Sequence, residues 1–237
     1  MVVYGISDLH LSFSDNKPMD IFGMVWEEHW DKIKDNWEQV VGEEDVVLIP
    51  GDISWASNLN DVSKDLHEIG SLKGRKVIIR GNHDYWCSSS TGLGKIRKVM
   101  PPSMYFLRND AIKFGKFIIC GTRGWTVPEN NTQTTKQDEK ILNREVSRMR
   151  TSLDAANKLI TNEEDVLIVM IHYPPFNSIH ENSVFTRLFE EYKVQKVVYG
   201  HIHGQTSKST MKLIKAGIEY YLLSCDLRDN KLTIVAE

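Results

Sequence analysis

Five short runs of apolar, β-branched residues recur along the chain (VVYGIS, DVVLIPG, KVIIRG, DVLIVMI and KVVYG), and each empties into residues that bind metals. Each run has the length of a buried strand. The first delivers Asp8 and His10 in SDLH, the second Asp52 in PGDIS, and the third Asn82, His83 and Asp84 in RGNHDYW. The fourth ends at His172 in IHYPP, and the fifth at His201 and His203 in GHIHG. Loops at the carboxyl ends of strands line the ligand crevice of an α/β sheet, so these side chains converge if the strands are parallel neighbours. His201 and His203, one position apart on extended chain, leave the backbone on the same side.

The donor set is oxygen and imidazole without thiolate. That chemistry suits Mn or Fe, with Zn as the alternative, and seven ligands exceed what one ion takes. Two ions are therefore expected. The three cysteines, Cys87, Cys120 and Cys225, are odd in number and scattered, which argues against a disulfide framework and for a reducing, cytoplasmic setting. The start, MVVYGISD, reads as a strand rather than a secretion signal, and the sequence has no apolar run long enough for a membrane helix. A net charge of −3 without a basic tract disfavours nucleic acid. Lys208, Lys212 and Lys215 make only a faint basic groove.

Between the runs lie helical patterns. Phe22, Trp26, Trp30, Ile33, Trp37 and Val41 predict a helix over 20–41; Val62, Leu66 and Ile69 one over 60–69; and Leu142, Val146, Met149, Leu153, Ala156 and Ile160 one over 138–160. Residues 104–121 alternate as strands around a turn at Lys113 to Lys116, and IEYYLLSCDLRDNKLTIVAE reads as a hairpin turning at Asp229 and Asn230. Strands outnumber helices late in the chain, which predicts an α/β fold with a mixed sheet, or two packed sheets with helices outside. At 237 residues a single domain, 1–237, is expected.

In order along the chain, D-x-H, GD, GNHD, a lone His and GHxH resemble the calcineurin-like metallophosphoesterase superfamily from Asp8 to His203. The resemblance implies a four-layer α/β/β/α sandwich of two mixed sheets, with the metal site at the strand C-terminal ends. It also implies two divalent or mixed-valence ions: Asp8, His10 and His203 on one, Asn82, His172 and His201 on the other, and Asp52 bridging them. A metal-bridging hydroxide would hydrolyse a phosphomonoester or phosphodiester, with His83 as acid and Asp84 hydrogen-bonded to it. The alternative is a catalytically silent scaffold on the same fold that binds partner proteins.

Arg80, in a block resembling the RGNHE of the serine/threonine phosphatase branch, is a candidate phosphate contact, and Arg123 in GTRGW is another. Either could instead pair with a nearby carboxylate. Trp55, Tyr85, Trp86, Trp125, Tyr173 and Phe176 could wall the pocket of a small phosphoester and stack on an aromatic or nucleobase group, although core packing is the expected role of at least half. His29, His67 and His180 match no block and are expected to be structural or solvated. The segment 126–162, a polar loop and a helix, is a candidate cap or insertion. GDISW offers Ser54 and Trp55 where many phosphodiesterases have GDxxD or GDxxN, so the blocks assign no branch.

Overall fold

The computed structural model describes residues 1–15, 17–88, 90–130, 132–204 and 210–237. The first sheet runs through β1 (Val3–Gly5), β2 (Val46–Ile49), β3 (Arg75–Ile78) and β4 (Met104–Phe106), all parallel, with β11 (Thr233–Ala236) antiparallel on the outer side of β1. In the second, β6 (Phe117–Thr122), β7 (Val166–Ile171), β8 (Lys196–Tyr199) and β10 (Ile218–Leu222) are parallel. Its edges, β5 (Ala111–Phe114) and β9 (Lys212–Lys215), are antiparallel. Both sheets are mixed.

The period of two along each strand builds the layers. Val46 and Leu48 point into a core shared with Ile119, Ile168, Met170 and Val198 of the second sheet, whereas Val47 and Ile49 point outward. There they meet helices α1 (His29–Val40), α2 (Leu59–Ser71) and α3 (Leu93–Val99) through Ile33, Trp37, Leu66, Ile69 and Ile96. Ile118, Cys120, Val169 and Val197 face α4 (Lys136–Asn157) and α5 (Val184–Glu191) through Met149, Leu153, Phe185 and Phe189. The order is α/β/β/α. Asn58 and Ser183 cap α2 and α5, each side chain accepting two backbone N–H bonds. Met149, Leu153 and Ala156 of α4, within the segment 126–162, belong to the core of the second sheet.

Two expectations fail. The helix over 20–41 begins only at His29: Asp20–Phe22 and Met24–Trp26 are single 3₁₀ turns, broken at Gly23 (φ 121°) and Glu28 (φ 49°). The apolar spacing is right, but Phe22 is exposed and only Trp26, Trp30, Ile33, Trp37 and Val41 are buried. The C-terminal hairpin also fails, because β10 and β11 lie in different sheets. Asp229 and Asn230 do turn the chain, both at positive φ, but the turn sends it from one sheet to the other. β10 instead pairs with β9 around Ala216 and Gly217.

Lys76, on β3, is fully buried. Its ammonium donates to the carbonyls of Gly70 (3.3 Å) and Leu72 and approaches the Ser103 hydroxyl (3.4 Å), so it closes the C-terminal end of α2. Burial lowers its pKa to about 8, below the 10.4 or so of an unfolded lysine. The unfolded chain then binds more protons between these values, so this group's contribution to stability rises with pH there. Lys76→Met fills the volume but takes the ammonium from the Leu72 carbonyl, while Gly70 keeps the Ser103 hydroxyl at 2.9 Å, and about 1–3 kcal/mol should be lost at pH 7. An unchanged denaturation midpoint would mean that desolvation of the ammonium offsets its bonds.

Candidate metal centre

The metal-binding residue types of all five runs meet where the parallel strands of both sheets end. Asp8, His10 and His203 form one group, and Asp52, His172 and His201 another, with the ligand atoms of each group within 4.8 Å of one another. Asn82 joins the second, its Oδ1 lying 2.6 Å from His172 Nε2 and 2.8 Å from His201 Nδ1. Asp52 lies between the groups: Oδ2 is 3.5 Å from His172 Nε2 and 3.8 Å from His10 Nε2, while Oδ1 accepts the His83 N–H at 2.7 Å.

The backbone is bent to make this possible. Asp8, His10, Asp52 and His201 all sit at positive φ, between 47° and 71°, a region such residues occupy at a cost and mostly at functional sites. The glycines of the GD-, GN- and GH-type blocks serve close approach. A Cβ on Gly81 would strike the Asp52 carboxylate and amide, and one on Gly200 would strike Asp8 and Ser7. Gly81→Ala should therefore empty the centre of metal about as thoroughly as removing Asp52 itself, read by metal content per chain. Full metal content in that variant would contradict the geometry.

Outer contacts orient the candidate ligands. His172 Nδ1 donates to the Pro50 carbonyl at 2.9 Å, and a neutral ring held that way presents its Nε2 lone pair to the site. That lone pair faces the carbonyl oxygen of Asn82, and two acceptors aimed at each other are what a shared cation resolves. His203 Nδ1 donates to Asp226 at 3.0 Å, leaving Nε2 3.5 Å from Asp8. Asp8 also accepts the His201 N–H at 3.1 Å and the Ser224 hydroxyl at 3.0 Å. His10 is stacked on Trp55, with ring centroids 4.8 Å apart, and its buried Nδ1 has no hydrogen-bond partner among the described residues.

Electrostatics agree with a cation site. Burial first, then the neighbouring carboxylates of Asp8 and Asp84, push Asp52 up to about 9. Burial lowers His10 to about 3 and His201 to about 4, keeping both as neutral imidazoles able to ligate. His203 is the exception: burial would lower it, but its bonds to Asp226 and Asp8 raise it to about 10. Burial would likewise raise Asp8, and the His203 bond with the surrounding imidazoles pulls it below the usual carboxylate range instead. Positive charge placed between Asp8 and Asp52 would favour the ionised form of both. The residues fit two hard or borderline cations.

His83 lies on the rim, its ring 4.5 Å from Trp55 and 5.6 Å from His10, with Nδ1 3.4 Å from the Tyr85 hydroxyl. Asp84 does not orient it through a hydrogen bond. Its carboxylate takes the backbone N–H groups of Ile53, Ser54 and Gly81 and the Trp86 indole N–H, pinning the loop after β2 to the loop after β3. Arg80 Nε donates to the Asp84 carbonyl. Arg123 packs over Trp125 at 4.9 Å and lies 3.8 Å from Glu145; its carbonyl accepts the His172 N–H at 3.0 Å.

Tyr173 lies against His201, ring centroids 4.3 Å apart, and Trp86 and Phe176 are buried. His29 binds the Leu9 carbonyl at 2.9 Å and so braces the first ligand loop. Asp226 and Ser224 escaped the sequence reading, and Trp26, read there only as an apolar helix position, lies 6.0 Å from the His10 ring and 5.7 Å from that of His203. Asp226 and Ser224 follow β10, and the strand-end rule that found the others would have found them had β10 been read as a parallel strand. Lys212 is paired with Glu219, and Lys208 lies outside the described residues.

Residues 1–205 match the family model of the calcineurin-like phosphoesterases, and the protein belongs to that family. The family implies divalent metal ions and phosphoester hydrolysis. An uncharacterised protein of Methanocaldococcus jannaschii is 37% identical over 87 residues, 35% of this chain and 46% of that protein. The Gene 66 protein of Mycobacterium phage L5 is 39% identical over 80 residues, 33% of this chain and 37% of that protein. The matches thus span less than half of each relative. Among solved structures, TT1561 of Thermus thermophilus aligns with a TM-score of 0.58 at 13% identity, covering 100% of this chain and 99% of that one. A protein of unknown function from Aquifex aeolicus aligns at 0.52 and 15%, covering 98% and 94%. At such identities these two share the fold. Among the described residues, no helix is long and apolar enough to cross a membrane.

Proposed function

We propose that the protein is a binuclear metal-dependent phosphohydrolase acting on a small phosphomonoester or phosphodiester. Asp8, His10 and His203 would hold one ion, Asn82, His172 and His201 the other, and Asp52 both, with Mn or Fe as the fitting metals. Two such ions supply a polarised phosphoryl group and a water acidified towards neutrality. The observation that carries the reading is the position of the Asp52 carboxylate between two groups of imidazole and oxygen donors.

His83, on the rim and joined through its backbone to Asp52, is placed to hold a proton at the leaving oxygen. Asp84 shapes the loop that carries His83. Arg80 and Arg123, at the ends of β3 and β6, bring positive charge to the same end of the sheets. Retention of every ligand type together with His83 disfavours the silent-scaffold reading. Protein stripped of metal and reconstituted with Mn²⁺ should hydrolyse a chromogenic phosphodiester or the matching monoester, and the ratio of rates identifies the preferred class. Two bound ions with neither ester cleaved would turn the case towards the scaffold.

Loading has a proton signature. Asp52 near 9 and His203 near 10 both hold a proton at pH 7, and ligation must displace it. Mn²⁺ binding should release up to two protons per chain, one from each side chain, and affinity should rise with pH. Calorimetry in buffers of different ionisation heat measures this; heats independent of buffer would contradict it.

A further inference from the structure

One strand outward from the metal centre, the ends of β3, β4 and β6 and the side of α4 line a small cavity of about 50 Å³. On a measure in which one water takes roughly 10–15 Å³, that is room for a few waters or one compact oxyanion. Its charged lining is Arg80, Arg108, Arg123 and Arg148 against a single carboxylate, Glu145. Glu145 is fully buried and already engaged, accepting from Arg148 at 2.7 Å and from the Thr122 hydroxyl at 3.1 Å, with Arg123 and Arg144 at 3.8 and 3.7 Å.

Arg80, Arg123 and Arg148 against the one carboxylate leave the cavity positive without counting Arg108, which donates to the Thr91 carbonyl at 2.5 Å. Arg123 shows the imbalance most directly: its buried Nε has no hydrogen-bond partner among the described residues, and burial pushes its pKa down. A planar guanidinium is built to bind the oxygens of phosphate or carboxylate. Two of its lining residues are tied to the ligand loops: Arg80 lies two residues before Asn82, and the Arg123 carbonyl holds the backbone N–H groups of His172 and Tyr173.

We infer that this arginine cavity is an anion subsite, receiving a second phosphate or carboxylate of the substrate whose scissile phosphate lies at the metal centre. With neighbouring strands about 4.8 Å apart, the two anionic groups are roughly 5–10 Å from each other. The substrate is then a compact doubly anionic phosphoester. Its assignment to a substrate rests on the hydrolase reading above; the anion site itself does not.

The test separates the two. Sulfate titrated calorimetrically into metal-stripped protein should bind at one site per chain. Arg148→Gln should weaken it about tenfold, and Glu145→Gln, which frees the arginines, should leave it as tight or tighter. Absence of sulfate binding to the wild type, equal binding by Arg148→Gln, or equal weakening by both variants would overturn the site, the last because general damage moves both variants the same way. In metal-loaded protein, 3-phosphoglycerate should inhibit 4-nitrophenyl phosphate hydrolysis about tenfold more tightly than glycerol 3-phosphate, with the difference lost in Arg148→Gln. Equal inhibition by the two in the wild type, beside intact sulfate binding, would make the anion a free effector and refute the substrate assignment. A protein that bound sulfate as predicted but cleaved no phosphoester would fail the hydrolase reading and keep the site.

Discussion

Asp52→Ala should abolish hydrolysis, by about a thousandfold or more, and leave the protein unable to retain two metal ions. Asp52 Oδ2 is the atom that both ligand groups approach, at 3.5 and 3.8 Å, so its loss removes a donor from each at once. The same substitution should not harm the fold. A carboxyl pushed up to about 9 binds its proton more tightly folded than unfolded, so stability falls as pH rises from about 4 to 9 and Asp52 opposes folding at pH 7. Stripped Asp52→Ala should therefore melt no lower than the stripped wild type. A variant that keeps two ions and full rate would remove the bridge from the account.

His83→Ala should lower kcat by about 10²–10⁴ while metal content stays at the wild-type level. His83 belongs to neither ligand group, and its ring stands on the rim against Trp55 and His10. If it protonates the leaving oxygen, the loss depends on how much that oxygen needs the proton. An alkyl phosphate leaves as a strong base and should suffer most. A 4-nitrophenyl ester leaves as a stable anion and should suffer least. Equal losses on both would mean that His83 serves charge stabilisation or positioning rather than proton transfer.

The seven proposed metal-binding positions were legible because strand geometry and topology convert sequence into place. An apolar run of four to six residues is a buried strand, the next residues are its carboxyl-end loop, and parallel neighbours bring such loops together. What was not legible depended on partners remote in sequence. β10 looked like one arm of a hairpin because Asp229 and Asn230 make a turn, yet no local signal says that the chain changes sheets there. That error hid Ser224 and Asp226, the outer contacts of Asp8 and His203.

Asp84 was misread in its contacts for a similar reason. Its nearest neighbour in sequence is His83, but four N–H groups, two of them about thirty residues away, compete for its carboxylate. Around 20–28 the apolar spacing predicted burial correctly at Trp26 but not helicity, because helical spacing does not reveal that Gly23 and Glu28 adopt positive φ. Glu145 lay on a helix whose polar face gave no sign of facing inward, so the arginine cavity emerged only from the packing of α4 against β6.

The most direct test of the central claim is a titration of Mn²⁺ into stripped protein that follows bound metal and phosphoester hydrolysis in the same sample. The account predicts two ions per chain and hydrolysis that is absent without metal and complete only as the second ion binds. Full hydrolysis without metal, or saturation of the rate at one ion with no second site, would contradict it.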